Sequence, residues 1–339
     1  MTKVKVGIVG SAGYTGGELL RILIHHPQVE IVFANSASNA GNKVSDVHTD
    51  LLGDTDLIFT NGVSNEIDVL FLCVGHGDAR KFLDSATIAS HVKIIDLSQD
   101  YRLSANTEYQ DGKFVYGLPE LQRDVIQSAQ YIANPGCFAT SIQLALLPLA
   151  DKGLLQGQIH INATTGSTGA GQKPSATSHF SWRSSNLSVY KAFEHQHLQE
   201  ISESLNQLQP GFLPVGEEPL LQRAMERINI IPQRGNFARG ILSAIYLDCI
   251  LREDEAYALY ESFYATHPFT HVSKANVDLK QVVNTNKCIL HLEKHGNKLF
   301  VVSVIDNLLK GASGQAVQNM NLLFGLEEAS GLKLKSVGF

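Results

Sequence analysis

No apolar stretch in this 339-residue chain reaches the roughly 18 residues that a membrane-spanning helix needs. There is no basic run either: charged residues make up 18% and the net charge is −6. That balance argues against nucleic acid or an anionic membrane surface as a partner. The four cysteines show no C-x-x-C spacing, so neither a zinc site nor a disulfide framework is expected, and no metal is expected. The strand-like Val4–Val9 begins almost at the starting methionine, which leaves no room for a secretory leader. These absences point to a soluble cytoplasmic protein in a reducing compartment, where a reactive thiol survives.

The length is enough for two domains with separate cores. Up to about residue 135, short apolar runs alternate with amphipathic ones. Val4–Val9, Glu30–Ala34, Val69–Val74 and Val92–Leu97 read as strands buried on both faces, and Gly17–His26 as a helix. That is the pattern of a doubly wound α/β domain. From about Gly157 the strands are longer and more alternating: His160–Thr164, Ile228–Ile231, Gly240–Leu251, and a hairpin over Lys287–Asp306 that turns at Lys294–Asn297. This is a second, α+β domain. Ala316–Leu326 is helical again and is expected to return to the first domain.

Three of the cysteines, Cys73, Cys249 and Cys288, sit in apolar runs and read as inert buried-strand residues. Cys137 differs. Asn134-Pro135-Gly136-Cys137-Phe138 empties into the helix-like run Ala139–Leu149, so the thiol should lie at or just before a helix N-terminus. The positive dipole end there favours a thiolate. It does not suffice: a thiol of pKa ~8.5 is only about 3% ionised at pH 7, and a helix end contributes roughly 1 kcal/mol, less than one pKa unit. A base or cation from elsewhere must do the rest.

The best candidate is Glu194-His195-Gln196-His197-Leu198-Gln199-Glu200. Leu198, Ile201 and Leu205 form a buried helical stripe. On an ideal helix His195 falls about 60° from Leu198 on one side and His197 about 100° on the other. Glu200 reaches His197 and points away from His195 if both histidines are helical. A helix beginning after His195 would free that ring to turn toward a cleft. Ser98 and Arg102, in Asp96-Leu97-Ser98-Gln99-Asp100-Tyr101-Arg102, follow a probable strand at the carboxyl end where open α/β sheets bind ligands, and Arg102 can grip a phosphate.

The loop Gly7–Gly17 has the spacing G-x-x-G-x-x-G between a strand and a helix. Its turn residues Gly10, Ser11, Ala12, Gly13, Tyr14 and Thr15 can hold a pyrophosphate on bare N–H groups. After the second strand no acid stands ready for a ribose 2′-hydroxyl. Ser36 and Ser38 can donate to a 2′-phosphate instead, which favours NADP(H) over NAD(H). Gly75 past a strand, Gly169 in Thr165–Gly171 and Asn307 in Asp306–Gln315 are further candidate coenzyme contacts, because glycine-rich turns let a ligand approach the main chain.

With these residues the chain resembles the N-acetyl-γ-glutamyl-phosphate reductase family, over nearly its whole length. The resemblance rests on Gly7–Gly17, Asn35–Gly41, Asp96–Arg102, Asn134–Phe138, Gly166–Gly171, His195–His197 with Glu200, and Asp306–Asn321. It implies an NADP-binding Rossmann domain (1–136 with 311–339) and a semialdehyde-dehydrogenase-like catalytic and oligomerisation domain (137–310). It further implies a homodimer or homotetramer that reduces an acyl phosphate to a semialdehyde and releases phosphate, in arginine biosynthesis. Cys137 is then the nucleophile, His195 the acid/base and Glu200 its orienter, with His197 the rival base. Ala37 stands where many members have arginine, and Phe138 where tyrosine is more usual. The alternatives are an aspartate-semialdehyde or lysine-pathway reductase and, from another class, a silent NADP-binding sensor. Ile241 after Arg239-Gly240, where the aspartate enzymes would carry a nearby histidine, counts against the first.

Overall fold

The computed structural model describes residues 3–338. The chain divides into two compact units. One runs up to Pro135 and resumes over Ala312–Leu334; the other holds Gly136–Gly311 and the residues from Lys335 onward. The chain thus crosses between them immediately before Gly136, again after Gly311 and a third time after Leu334. The end of the chain differs from expectation: Asn284 Nδ2 donates to the Lys335 carbonyl, which ties it to the second unit.

The first unit is built on an eight-stranded sheet of β1 (Val4–Val9), β2 (Val29–Asn35), β3 (Phe59–Thr60), β4 (Val69–Leu72), β5 (Lys93–Asp96), β6 (Glu108–Tyr109), β7 (Gly112–Tyr116) and β8 (Tyr131–Ala133). Their order is β3-β2-β1-β4-β5-β8-β7-β6, parallel except for the β6–β7 pair at the edge. The order reverses beside β1, which is where a doubly wound sheet leaves a crevice for a ligand. The first helix begins at Tyr14, three residues earlier than its apolar stripe suggests, and ends at Leu23. Gly16 and Gly17 lie inside it despite their poor helix propensity, because there is no room for a side chain. A Cβ at Gly16 would stand 2.5 Å from the Ser11 Cα, and one at Gly17 2.5 Å from the His48 ring.

The second unit carries a mixed seven-stranded sheet of β9 (Ile159–Thr165), β10 (Ser188–Val189), β11 (Ile228–Arg234), β12 (Ile241–Asp248), β13 (Thr270–Ser273), β14 (Cys288–His295) and β15 (Lys298–Ile305), in the order β10-β11-β9-β12-β15-β14-β13. The helices Cys137–Asp151 and Glu253–Tyr264 pack on one face. Ile241, Ser243, Ile245 and Leu247 point inward there, while Leu242, Ala244, Tyr246 and Asp248 alternate onto the opposite, more open face. The β14–β15 hairpin turns at Gly296-Asn297, tighter than expected, since His295 still pairs with Lys298 and Gly296 takes φ +58°. Cys288 opens β14, but Cys73 and Cys249 stand one residue past β4 and β12, not within them. Burial still pushes the Cys73 thiol up to about 12, so it stays protonated.

Among the described residues no helix is long and apolar enough to cross a membrane, and no group of three or more His, Cys, Asp or Glu side chains is placed to hold a metal ion.

Candidate active site

In the first unit, Gly10 makes the turn after β1. Its φ is +78°, and a Cβ there would stand 2.3 Å from the Cys73 carbonyl oxygen, so only glycine fits. Gly13 is the N-cap of the helix that follows and no side chain caps it, which leaves the positive helix end to an anion. Two hydroxyl side chains of the loop, Ser11 and Thr15, behave differently from expectation. Ser11 is fully buried, and its hydroxyl donates to the Asn35 carbonyl at 2.8 Å, so its side chain does not face a pyrophosphate. Thr15 turns its hydroxyl toward the Cys73 thiol. Ala12, Gly13 and Tyr14 remain partly or well exposed along the turn.

At the end of β2, Ser36 and Ser38 both accept from Asn39 Nδ2 at 3.1 Å. Each hydroxyl proton is thereby left to donate elsewhere, which suits an anionic ligand such as a 2′-phosphate. Asn39 is a residue the sequence reading missed. Gly75 lies exposed in the turn after β4.

Past β5 the candidates separate. The Ser98 hydroxyl donates to Asp96 Oδ2 at 2.7 Å and accepts the Asp100 N–H at 3.1 Å. It holds the loop and has no proton left for a phosphate. Asp96 is fully buried, and that burial pushes its carboxyl up to about 6 against the pull of Ser98 and Arg102. Arg102 is buried as well. Its Nε donates to the Asn134 carbonyl at 2.8 Å and one terminal nitrogen to the Leu97 carbonyl at 2.9 Å. The guanidinium therefore fixes the Asn134-Pro135 turn that leads into the second unit.

The second unit begins with that turn's other half. Gly136 is the N-cap and Cys137 the first residue of a helix running to Asp151. The helix is buried from Phe138 to Ala150, which makes its N-terminus a rigid platform for the thiol. Glu200 closes the end from outside: its Oε2 accepts the Gly136 N–H at 3.0 Å. Its other oxygen lies 3.8 Å from His197 Nε2. Glu200 is thus placed against His197, where helical geometry put it. The helix starts at His197, so His195 precedes it and Glu200 occupies the first turn. No side chain fits between: a Cβ on Gly136 would come 2.4 Å from His197 Nε2 and 2.7 Å from Glu200 Oε1.

His195 packs edge-on against Phe138, Tyr190 and His197, with ring centroids 5.3, 5.8 and 4.6 Å away. Burial, followed by the neighbouring positive charges of His197 and Lys191, pushes its pKa down to about 3. The ring is neutral at pH 7. Its Nδ1 accepts the His197 main-chain N–H at 3.2 Å, so the proton sits on Nε2, which acts as a donor. Tyr190 is the second residue missed. Its phenol is pushed up to about 12, chiefly by burial and then by the charge of a Cys137 thiolate.

The two glycine-rich loops lie in this unit. Asn307 Oδ1 accepts the Gly240 N–H at 2.8 Å, and its Nδ2 donates to Thr168 Oγ1 at 3.0 Å. The side chain staples the two loops together. Gly169 remains exposed, with the Thr165 hydroxyl 3.3 Å from where its Cβ would be. Gly311 passes Cys137 so closely that a Cβ would stand 2.8 Å from the cysteine Cβ.

Residues 5–129 match the family described as "Semialdehyde dehydrogenase, NAD binding domain", and residues 137–307 match "Semialdehyde dehydrogenase, dimerisation domain". The chain is 59% identical over 337 residues to an N-acetyl-γ-glutamyl-phosphate reductase of Azobacteroides pseudotrichonymphae, and 56% identical to one of Parabacteroides distasonis. Each alignment covers 99% of this chain and all of the relative. In fold it is similar to an aspartate semialdehyde dehydrogenase II of Vibrio cholerae, with a TM-score of 0.71 at 14% identity, over 96% of this chain and 99% of that one.

Proposed function

Because the chain belongs to the N-acetyl-γ-glutamyl-phosphate reductase family, we propose that its catalytic residues are Cys137, His195 and the His197–Glu200 pair. The observation that carries this is the Cys137 thiol at the first position of a buried helix, with both histidine rings packed against Phe138, the next residue, and Tyr190 against His195. The chain has a nicotinamide-coenzyme domain, and we assign NADP(H) as the coenzyme on the two hydroxyls of Ser36 and Ser38 and the lack of an acid beside them.

The residues divide the work as follows. The Cys137 sulfur forms a bond to the γ-acyl carbon, and the bond from that carbon to the phosphate oxygen breaks, so phosphate leaves with the electron pair. Arg102, whose Nε holds the Asn134 carbonyl in the turn before the thiol, is the proposed contact for that phosphate. When bound, the coenzyme would supply the hydride that reduces the carbonyl carbon. The C–S bond then breaks, returning its electrons to sulfur and freeing the semialdehyde. His195, neutral and protonated at Nε2, donates to the carbonyl oxygen as charge gathers there and exchanges a proton with it. Glu200 and His197 hold the Gly136 turn, and with it the helix end that favours the thiolate.

The dimerisation domain supports an oligomer, and we place the enzyme in the cytoplasm, where the nucleophilic thiol stays reduced. The test is phosphate-dependent reduction of NADP by N-acetylglutamate semialdehyde, with aspartate semialdehyde as control. Turnover of the first and little of the second is expected. Cys137→Ser should retain NADPH binding and lose turnover by about 10⁴-fold or more. Near-wild-type rates in that variant overturn the assignment.

A further inference from the structure

A glycine loop holds a pyrophosphate only if its main-chain N–H groups face the ligand. A trans peptide is planar, and its C=O and N–H point in opposite directions. Whatever holds one carbonyl of the loop therefore also aims the N–H of the next residue. The peptides of the Gly10–Thr15 loop in the first unit are all trans.

The Ser11 carbonyl of that loop is held by His48, whose Nε2 lies 2.9 Å away. The ring is buried, and burial pushes its pKa below the usual value, so it is neutral at pH 7. Facing a carbonyl oxygen, it carries its proton on Nε2 and donates it. The Ser11 N–H and hydroxyl both go to the Asn35 carbonyl, at 3.0 and 2.8 Å, so Ser11 is pinned through three of its polar groups. The Gly13 N–H turns back to the Gly10 carbonyl at 3.2 Å. The Ala12 N–H, in the same peptide plane as the Ser11 carbonyl, makes no hydrogen bond to the described residues. It is left for a ligand.

His48 reaches Ser11 because the first helix makes room for it. A Cβ at Gly17 would stand 2.5 Å from His48 Cε1 and 2.8 Å from its Nδ1, so this glycine is the socket for the imidazole. A glycine inside a helix costs about 1 kcal/mol against alanine, a cost the seated ring explains. Phe59 of β3 packs against the same ring, with centroids 6.3 Å apart. Arg21, further along the helix, grips Asp50 through two hydrogen bonds of 2.6 and 2.7 Å. Asp50 stands two residues after His48 in the turn Thr49–Leu51, so this pair ties the histidine's segment to the helix that follows the loop. No step of the chemistry uses His48.

We propose that His48 is a positioning residue for the coenzyme: its bond to the Ser11 carbonyl turns the Ala12 N–H toward the pyrophosphate. The proposal rests on the reading of Gly10–Thr15 as the pyrophosphate loop. His48→Leu keeps much of the bulk and removes the donor, whereas His48→Gln puts an amide N–H donor in place of Nε2. In fluorescence titrations His48→Leu should weaken NADPH and NADH alike by about tenfold, since both carry the pyrophosphate. Adenosine 2′-monophosphate, which lacks it, should displace NADPH with the same dissociation constant as in the wild type. His48→Gln should recover most of the lost affinity. In turnover the KM for the coenzyme should rise with the dissociation constant, and kcat at saturation should stay within about twofold. A parallel loss for adenosine 2′-monophosphate overturns the proposal, because the histidine then supports the whole crevice and not the pyrophosphate. A glutamine variant as weak as the leucine one overturns it too, as does wild-type NADPH affinity in His48→Leu. A wild-type protein that binds NADPH no more tightly than adenosine 2′-monophosphate overturns the loop reading, and the proposal with it.

Discussion

Glu200 Oε2 accepts the main-chain N–H of Gly136 at 3.0 Å, one residue before the thiol that opens the helix. A carboxylate thus shares the positive helix end with Cys137. Its negative charge opposes thiolate formation, while its hydrogen bond fixes the turn. The two effects separate by substitution. Glu200→Gln keeps an acceptor and removes the charge, so the Cys137 pKa should fall and alkylation by iodoacetamide at pH 7 should quicken, by about threefold to tenfold. Glu200→Ala removes both, and should lower kcat by about 10- to 100-fold through a misplaced turn. Slower alkylation in Glu200→Gln would show that the carboxylate helps the thiolate, by way of a protonated His197.

Gly136 is confined by the same pair. Any Cβ there meets His197 Nε2 at 2.4 Å and Glu200 Oε1 at 2.7 Å, and the residue is buried on a rigid helix cap. Gly136→Ala should therefore destabilise the protein by about 1–3 kcal/mol and cost activity out of proportion, since the displaced groups are those around the thiol. Thermal midpoint and kcat measured together check this. A stable variant with normal turnover would mean that His197 and Glu200 can move freely.

His195 has a pKa pushed down to about 3, below its unfolded value near 6.5. Folded, it takes up a proton only far below pH 5, so it is neutral through the working range. The kcat/KM profile should show no limb near 6.5 from this ring and should rise instead with ionisation of the thiol. A free-enzyme limb near pH 6.5 that disappears in His195→Asn would contradict the neutral assignment.

The two hydroxyls at the end of β2 decide the coenzyme. Ser36 and Ser38 accept from Asn39 and keep their protons for an anion. Replacing both by alanine should weaken NADPH about tenfold or more while changing NADH little. Fluorescence titration of both coenzymes measures this. A parallel loss for both would place the serines in the fold of the loop and not in 2′-phosphate recognition.

How much of this could be read beforehand depended on where each partner lay. The apolar strands β1, β4 and β5 declare themselves locally, and so does the Pro-Gly-Cys turn, because burial on both faces and helix punctuation are properties of short segments. The two-residue strands β3, β6 and β10 exist only through their neighbours and leave no pattern. Ser11 and Ser98 looked like ligand donors, but their protons go to the Asn35 carbonyl and to Asp96, whose positions relative to the serines only the folded chain reveals. The sequence reading ends β11 at Ile231, before Pro232. The proline stays in register opposite Ala163, and the strand continues to Arg234. Glu200 shows a conflict within the reading: helical spacing pointed to His197 and the family pattern to His195, and the spacing matches the observed contact.

Asp96 carries the last expectation, on stability. Burial raises its folded pKa to about 6, above the roughly 3.9 of an unfolded chain. Between those values the folded state holds the proton more tightly, so this group's contribution to stability falls as pH rises and is fully lost above about pH 6, an effect of roughly 2–3 kcal/mol. Asp96→Asn cannot ionise and removes that slope, though it weakens the hydrogen bonds from the Ser98 N–H and hydroxyl, at 2.9 and 2.7 Å. Relative to wild type, the variant's thermal midpoint should therefore be more favourable at pH 8 than at pH 4.5. The opposite order would mean that Ser98 and the Arg102 charge outweigh burial and hold the carboxyl low.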